Sequence, residues 1–209
     1  MTTKRYWRPR KAVRELGERD PRLAALVAEV GPPSVELRDS TFGVVARAIA
    51  YQQLAGTAAS AIWGRVLALF PDDEPLDPAA FLRKRDATYR KVGLSGAKTK
   101  SMKDLARHIT RGDLNPADFH DQSNDEIIAA LTQVWGIGEW SAQMHLIFSL
   151  GRLDVWPVLD LGVRSGWAKF QGCRAPTAKE LVPLGDRYRP YRSVVAWYMW
   201  RVHDVGDWV

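Results

Sequence analysis

The residues that most constrain this fold are Leu131-Thr132-Gln133-Val134-Trp135-Gly136-Ile137-Gly138-Glu139-Trp140-Ser141-Ala142. Two glycines bracket one isoleucine between two stretches of helical periodicity. Upstream, Ser123-Asn124-Asp125-Glu126 has capping-box spacing and opens a helix through Ile127 and Ile128. Downstream, Trp140-Ser141-Ala142-Gln143-Met144-His145-Leu146 reads as a second helix that follows at once. Glycine allows the backbone angles that so tight a turn needs. The chain is thereby committed to a helical hairpin over residues 131–145, with N–H groups facing outward at the start of the second helix. Such groups bind phosphate oxygens well. A plain helical hairpin without a ligand is the competing reading of this segment taken alone.

The pattern is helical through most of the remainder. Asp20-Pro21 combines an N-cap with a proline at the first helical position, and Gly31-Pro32-Pro33 closes that helix. Asp39 or Ser40 starts an apolar helix over 41–50, which Leu54-Ala55-Gly56 interrupts before Thr57 to Phe70 resumes it. Asp77-Pro78 and Asp86 are further N-cap signals, and Gly93 ends a short helix. Ala97 to Ile109 repeats apolar and basic residues at helical spacing. Thr177-Ala178-Lys179-Glu180 is a second capping box, and Tyr191 to His203 is an aromatic-rich closing helix. Pro71 to Pro78 reads as a surface loop. No alternating strand pattern or internal repeat is visible, so the expected class is all-α with about ten helices.

Composition narrows the function classes. Cys173 is the single cysteine, which excludes intramolecular disulfides and a four-cysteine zinc or iron–sulfur site. The four histidines (His108, His120, His145, His203) lack metal-site spacing. No apolar run approaches the roughly eighteen residues of a membrane span. The basic N-terminus, Met1 to Arg10, lacks the apolar core of a signal peptide. A cytoplasmic protein with no membrane association is expected. Thirty Lys and Arg stand against 24 acids, for a formal charge of +6. The acids Asp72, Asp73, Glu74 and Asp77 cluster in one loop, leaving Arg83-Lys84-Arg85, Lys98-Thr99-Lys100 and Lys103 as basic stretches. A basic face toward DNA fits this distribution, as does an ordinary solvated surface. Nine tryptophans supply aromatic faces for a core and for a pocket.

Asp160 follows the apolar stretch Asp154-Val155-Trp156-Pro157-Val158-Leu159. Pro157 stops any upstream helix, so Asp160 opens a new one through Leu161-Gly162-Val163-Arg164 and serves as its N-cap. A carboxylate beside apolar walls is expensive to bury, and that cost points to use. The two roles are compatible. Asp154 suits a structural turn or cap.

These segments together resemble the helix-hairpin-helix DNA glycosylase superfamily. The hairpin Val134 to Ala142, then Asp154-Val155-Trp156-Pro157, then Asp160-Leu161-Gly162-Val163 is similar to its hairpin-plus-aspartate signature. Ile49-Ala50-Tyr51-Gln52-Gln53-Leu54-Ala55 resembles its glutamine-pair loop, and Gly93-Leu94-Ser95-Gly96-Ala97-Lys98 the segment that follows. Arg189-Pro190-Tyr191-Arg192-Ser193 before Ala196-Trp197-Tyr198-Met199-Trp200 resembles the final helix of the alkylbase branch, 3-methyladenine DNA glycosylase II. The resemblance runs in order from about residue 38 to 205.

The resemblance implies two helical lobes flanking a base-binding cleft. Residues 1–38 would form an N-terminal helical segment packed with the C-terminal lobe, 39–160 a helical core holding the hairpin, and 161–209 the C-terminal helical lobe. It implies a base excision repair enzyme that flips a damaged nucleotide out of double-stranded DNA. Asp160 falls at the catalytic position, where its charge would stabilise the sugar cation and orient the attacking water. Trp140 falls where strand-cleaving members carry lysine; without that amine no Schiff base forms, so a monofunctional enzyme is implied. Cationic alkylated purines of the 3-methyladenine and 7-methylguanine type would be attracted to aromatic faces. Trp140, Trp200, Met144, Tyr51, Trp156 and Trp197 are the base-pocket candidates, each with core packing as its alternative. Gln53, with Leu54 beside it, falls at the intercalating position. Gly136, Gly138, Lys98 and Arg192 are the phosphate candidates. Backbone carbonyls of Thr132, Val134 and Ile137 match positions that hold a structural Na+ or K+ in the family; no catalytic cofactor is implied. A monomer acting on nucleoid DNA is expected. The departures are Leu54-Ala55 in place of a common isoleucine–serine, Met144 where some relatives carry tyrosine, and no room before Asp39 for an extra β-rich domain. A DNA-binding module without catalysis, and a uracil or mismatch glycosylase, are the competing functions.

Overall fold

A computed structural model describes residues 5–54, 56–71, 76–206 and 208. The acidic cluster Asp72-Asp73-Glu74, Ala55 and the basic start Met1 to Lys4 lie outside the described residues. The chain divides into two compact units, Arg38–His145 and a second made of Met1–Leu37 with Leu146–Val209. The sequence expectation placed a boundary after Asp160 instead. Trp156 and Trp167 belong to one hydrophobic cluster, and this draws residues 146–160 into the second unit.

The second unit opens with strand β1 (Arg5–Trp7), helix α1 (Arg10–Arg19), helix α2 (Pro21–Val30) and strand β2 (Val35–Leu37). β1 and β2 pair antiparallel, with Tyr6 opposite Glu36. Strands of three residues are too short to show alternation, which is why the sequence reading found none. α1 also lacks a sequence signal, because it begins after Pro9 with no side-chain cap. α2 starts as expected: the Asp20 side chain accepts from the N–H groups of Arg22 and Leu23, with Pro21 at the first position. Asp20 also accepts from the Tyr188 hydroxyl at 2.7 Å, and the Tyr198 hydroxyl donates to Gly31 O at 3.1 Å. These bonds tie the N-terminal helices to the C-terminal part of the same unit.

The Arg38–His145 unit holds α3 (Phe42–Tyr51), α4 (Gly56–Leu67), α5 (Pro78–Arg83), α6 (Asp86–Lys91), α7 (Gly96–Arg111) and α8 (Asn124–Thr132). α9 (Glu139–Phe148) begins in this unit and continues past its boundary. The cap of α3 is Thr41, whose hydroxyl accepts from Val44 N–H, rather than Asp39 or Ser40. Ser40 is taken by a buried partner instead, His145 Nε2 at 2.9 Å. Asp86 lies inside α6, whose N-cap is Arg85, and it pairs with Lys103 at 2.6 Å. Asp77, Ser123 and Thr177 cap their helices as the sequence predicts, the last two with complete capping boxes. The core of this unit is aromatic around Phe81, which stacks on Tyr89 at 4.4 Å and meets Phe42 edge-on at 5.3 Å.

Returning to the second unit, α10 (Leu161–Gln171), α11 (Ala178–Leu184) and α12 (Arg192–Arg201) complete the described helices. α10 packs on α12 through Gly166, where a methyl group would lie 1.8 Å from the Met199 carbonyl oxygen. Only glycine permits this backbone approach. One residue beyond Met199, Trp200 reaches the first turn of α10 at Gly162, next to Asp160.

Candidate active site

Two groups of candidate residues emerge, one in each unit. The first is the hairpin between α8 and α9. Its turn is closed by Val134 N–H to Leu131 O and Ile137 N–H to Val134 O, both 3.1 Å. Gly136 has φ 84°, a left-handed angle that favours glycine, and a methyl group there would lie 3.0 Å from Ser101 Oγ. Gly138 has open space where a side chain would stand. The N–H groups of Gly136 and Gly138 take no protein acceptor among the described residues. The turn therefore offers unspent donors beside the positive end of α9, which is the chemistry of an anion site. Trp135 N–H is already bound by Asp104 Oδ2 at 2.9 Å. The carbonyl oxygens of Thr132 and Ile137 take no protein donor among the described residues, and that of Val134 takes Ile137 N–H. Carbonyl oxygens with lone pairs to spare are the hard donors that monovalent cations take. No group of three His, Cys, Asp or Glu among the described residues could hold a metal.

On α9, Trp140 and Met144 stand four residues apart and so share a face. Trp140 is 40% exposed, the state expected of a wall that meets a ligand rather than a core residue. Phe148 continues that spacing. His145 points elsewhere: it is buried, and burial pushes its imidazole down to about 4.

Between α3 and α4 the chain presents Gln53 and Leu54, both exposed. Gln53 has φ 56°, the one non-glycine residue with positive φ among those described. Tyr51, at the end of α3, lies under the Arg47 guanidinium at 4.0 Å. A hydrogen bond with Ser60 and the charges of Arg47 and Arg38 hold its phenol below the usual range. Lys98 does not face outward as a phosphate ligand would. Its Nζ donates to Ala50 O and Gln52 O, both at 2.8 Å, and burial pushes its ammonium below the usual lysine range. The Lys98 charge that the sequence offers to a phosphate is thus engaged by two backbone carbonyls within the protein. A cleft of about 530 Å³ on the same unit, lined by Arg47, Trp63 and Phe70, contains Arg47 but none of the candidate residues.

The second group surrounds Asp160, which is 9% exposed. Its Oδ1 accepts from Val163 N–H at 2.8 Å, making it the N-cap of α10, and from Trp200 Nε1–H at 2.9 Å. Two donors on one oxygen offset part of the cost of burying a carboxylate. Gly162 lets the indole approach, since a methyl group there would lie 2.8 Å from Trp200 Cδ1 and 3.0 Å from Asp160 Oδ1. The Trp200 ring lies 5.5 Å from that of Phe148, tilted by 35°. Phe148 thus stands beside the indole that binds Asp160, a neighbour the sequence reading did not single out; its four-residue spacing from Met144 was the available signal.

The approach to Asp160 is pinned to the start of α12. Arg192 forks onto Asp154, Nε to Oδ1 at 2.6 Å and an Nη to Oδ2 at 3.0 Å, and Ser193 Oγ accepts from Val155 N–H at 2.8 Å. Arg192, a phosphate candidate in the sequence, is paired with Asp154 within the protein. Trp156 is corrected from pocket to core. It is buried, donates from Nε1 to Leu181 O at 2.9 Å, and meets Trp167 edge-on at 6.0 Å. Trp197 is partly buried, with Tyr198 edge-on at 5.1 Å and the Arg201 guanidinium 5.7 Å from its ring centre.

Residues 46–184 match the family described as HhH-GPD superfamily base excision DNA repair protein. DNA-3-methyladenine glycosylase 1 of Schizosaccharomyces pombe is 32% identical over 200 residues, covering 92% of this chain and 86% of that protein. The alkylbase DNA glycosidase-like protein mag2 of the same organism is 26% identical, covering 92% of this chain and 93% of that protein. Among solved structures, the Schizosaccharomyces pombe 3-methyladenine DNA glycosylase in complex with abasic DNA superposes with a TM-score of 0.82. It shares 30% identity over 95% of this chain and 99% of that one. A DNA-3-methyladenine glycosidase from Bacillus halodurans gives 0.84 at 30% identity, over 96% and 93%. The chain belongs to the HhH-GPD superfamily.

Proposed function

We propose that this HhH-GPD protein is a base excision repair glycosylase that hydrolyses the N-glycosidic bond of alkylated purines flipped from double-stranded DNA. The observation that carries the reading is the carboxylate of Asp160, buried and held by two N–H donors on a single oxygen. A fixed negative charge is what a glycosidic cleavage needs. As the C1′–N bond breaks, its electron pair leaves with the base and positive charge builds on the sugar; the carboxylate stabilises it. Water then adds its oxygen to C1′ and gives up a proton, with Asp160 as the orienting base. A cationic 3-methyladenine or 7-methylguanine leaves as a neutral base, so a modest catalyst suffices. The Trp200 ring beside the carboxylate provides an aromatic face for that cation. Trp140 and Met144 are proposed as further base contacts, with Tyr51 and Trp197 as secondary ones.

Gly136 and Gly138 N–H groups are assigned to a DNA phosphate, and Gln53 with Leu54 to the gap left in the duplex. The carbonyls of Thr132, Val134 and Ile137 are assigned to one Na+ or K+, which would supply positive charge beside that phosphate. Trp140 in place of an amine makes the enzyme monofunctional. We assign it to the cytoplasm as a monomer. Among the described residues no helix is long and apolar enough to cross a membrane.

The test is single-turnover base release from matched duplexes carrying 7-methylguanine or uracil. Faster release of the methylated purine is expected; faster uracil release would reject the alkylbase assignment, and release of neither would reject catalysis. Borohydride trapping during turnover should capture no protein–DNA adduct; a trapped adduct would overturn the monofunctional assignment.

A further inference from the structure

We propose that Lys98 and Gln52 form a clamp that presets the Gln53-Leu54 loop for entry into a duplex, making Lys98 a positioning residue for base flipping. The inference rests on the glycosylase reading above. Its observations are independent of the catalytic carboxylate.

The last carbonyls of a helix lack intrahelical donors and carry the negative end of its dipole. At the end of α3 the Lys98 ammonium, reaching over from the first turn of α7, takes two such oxygens, Ala50 O and Gln52 O, at 2.8 Å each. The Gln52 side chain is held from another direction. Its Nε2 donates to Ser141 Oγ at 3.1 Å and lies 3.4 Å from Gly136 O, within the hairpin. Both the backbone and the side chain of Gln52 are therefore fixed by elements distant in sequence. The next residue, Gln53, takes a left-handed angle that a non-glycine side chain adopts only when its surroundings over-determine it. Beyond it Leu54 is 40% exposed. A fastened base with an exposed, strained tip is a preorganised wedge. A loop ordered before binding avoids the entropic cost of ordering on the DNA. Lys98, whose charge is spent inside the protein, contributes to DNA binding through this geometry.

A wedge matters only where a partner strand must be displaced. The experiment compares Lys98→Met and Lys98→Arg with wild type, measuring single-turnover release of 7-methylguanine from duplex and from single-stranded DNA. For Lys98→Met the duplex rate should fall about tenfold to a hundredfold, the scale of a lost charge-assisted hydrogen bond, with the single-strand rate nearly unchanged. Lys98→Arg, which can still reach two carbonyls, should show a smaller loss confined to duplex. Adding Leu54→Ala to Lys98→Met should cost little more than either change alone, because both act through one loop. Equal losses on the two substrates, or full additivity with Leu54→Ala, would overturn the clamp. If Lys98→Met fails to fold, the Lys98→Arg comparison decides the matter. Failure of wild type to release base from either substrate would instead overturn the glycosylase reading.

Discussion

Replacing Asp160 with asparagine separates the capping role of this residue from its chemical one. Two donors, Val163 N–H and Trp200 Nε1–H, converge on Oδ1. An asparagine carbonyl oxygen occupies the same place and accepts both, and asparagine is as good an N-cap as aspartate. What is lost is the charge. A hydrogen bond to a charged group is worth about 1.5–3 kcal/mol and a neutral one about 0.5–1.5, so the indole bond weakens by about 1 kcal/mol. For a chain of this size that lowers Tm by about 2–4 °C. A stability of about 5–15 kcal/mol leaves the variant folded under assay conditions. The transition state suffers far more, because a preorganised group facing a developing charge contributes about 10²–10³ in rate.

The assay is single-turnover release of 7-methylguanine at saturating enzyme, with Tm and duplex affinity measured on the same preparation. Asp160→Asn should bind undamaged duplex as wild type does, since phosphate contacts dominate that affinity. A rate within about threefold of wild type, less than 1 kcal/mol of barrier, would refute the catalytic assignment. A Tm loss large enough to unfold the variant at the assay temperature would refute the clean separation and make capping the main role.

The helical architecture was largely legible in the sequence because its signals are local. Asp20, Asp77, Ser123 and Thr177 cap helices with donors two or three residues away, and such spacing can be read directly. The misreadings share one cause, a distant partner that outcompetes the local one. Ser40 is drawn from capping α3 by His145, 105 residues on. Asp86 turns to Lys103.

The same division holds at the candidate site. The hairpin and the capping role of Asp160 follow from short-range pattern, and both stand in the structure. The fates of the cations did not follow. Lys98 and Arg192 read as outward charges in a basic protein, yet each finds internal acceptors, Ala50 O and Gln52 O for one and Asp154 for the other. Trp156 and Trp200 are equally aromatic in sequence. Their environments separate them: Trp156 spends its N–H on a core carbonyl, and Trp200 spends its own on the candidate catalytic carboxylate.

Three further outcomes test these assignments. Gly166→Ala would place a methyl group 1.8 Å from Met199 O, forcing α10 and α12 apart. A cost of about 3 kcal/mol or more is expected, and an unchanged Tm would refute the tight helix contact. Burial holds His145 at about 4, below its unfolded value of 6.5, so the unfolded chain binds the extra proton first. Stability should be full above pH 6.5 and decline toward pH 4, by on the order of 3 kcal/mol; urea midpoints that do not move over this window would refute it. Arg192→Met removes the fork onto Asp154, whose Oδ2 also pairs with Arg189 at 3.2 Å. Its Tm should fall by an amount set by about 1–3 kcal/mol. Arg192 and a phosphate ligand differ in one readout, the dependence of duplex affinity on salt. Each phosphate contact contributes about 0.9 to the slope of log affinity against log salt, so a residue committed to Asp154 leaves the slope unchanged when removed. A slope reduced by about one in Arg192→Met would return Arg192 to the DNA interface, because only a cation that displaces counterions from DNA can change it.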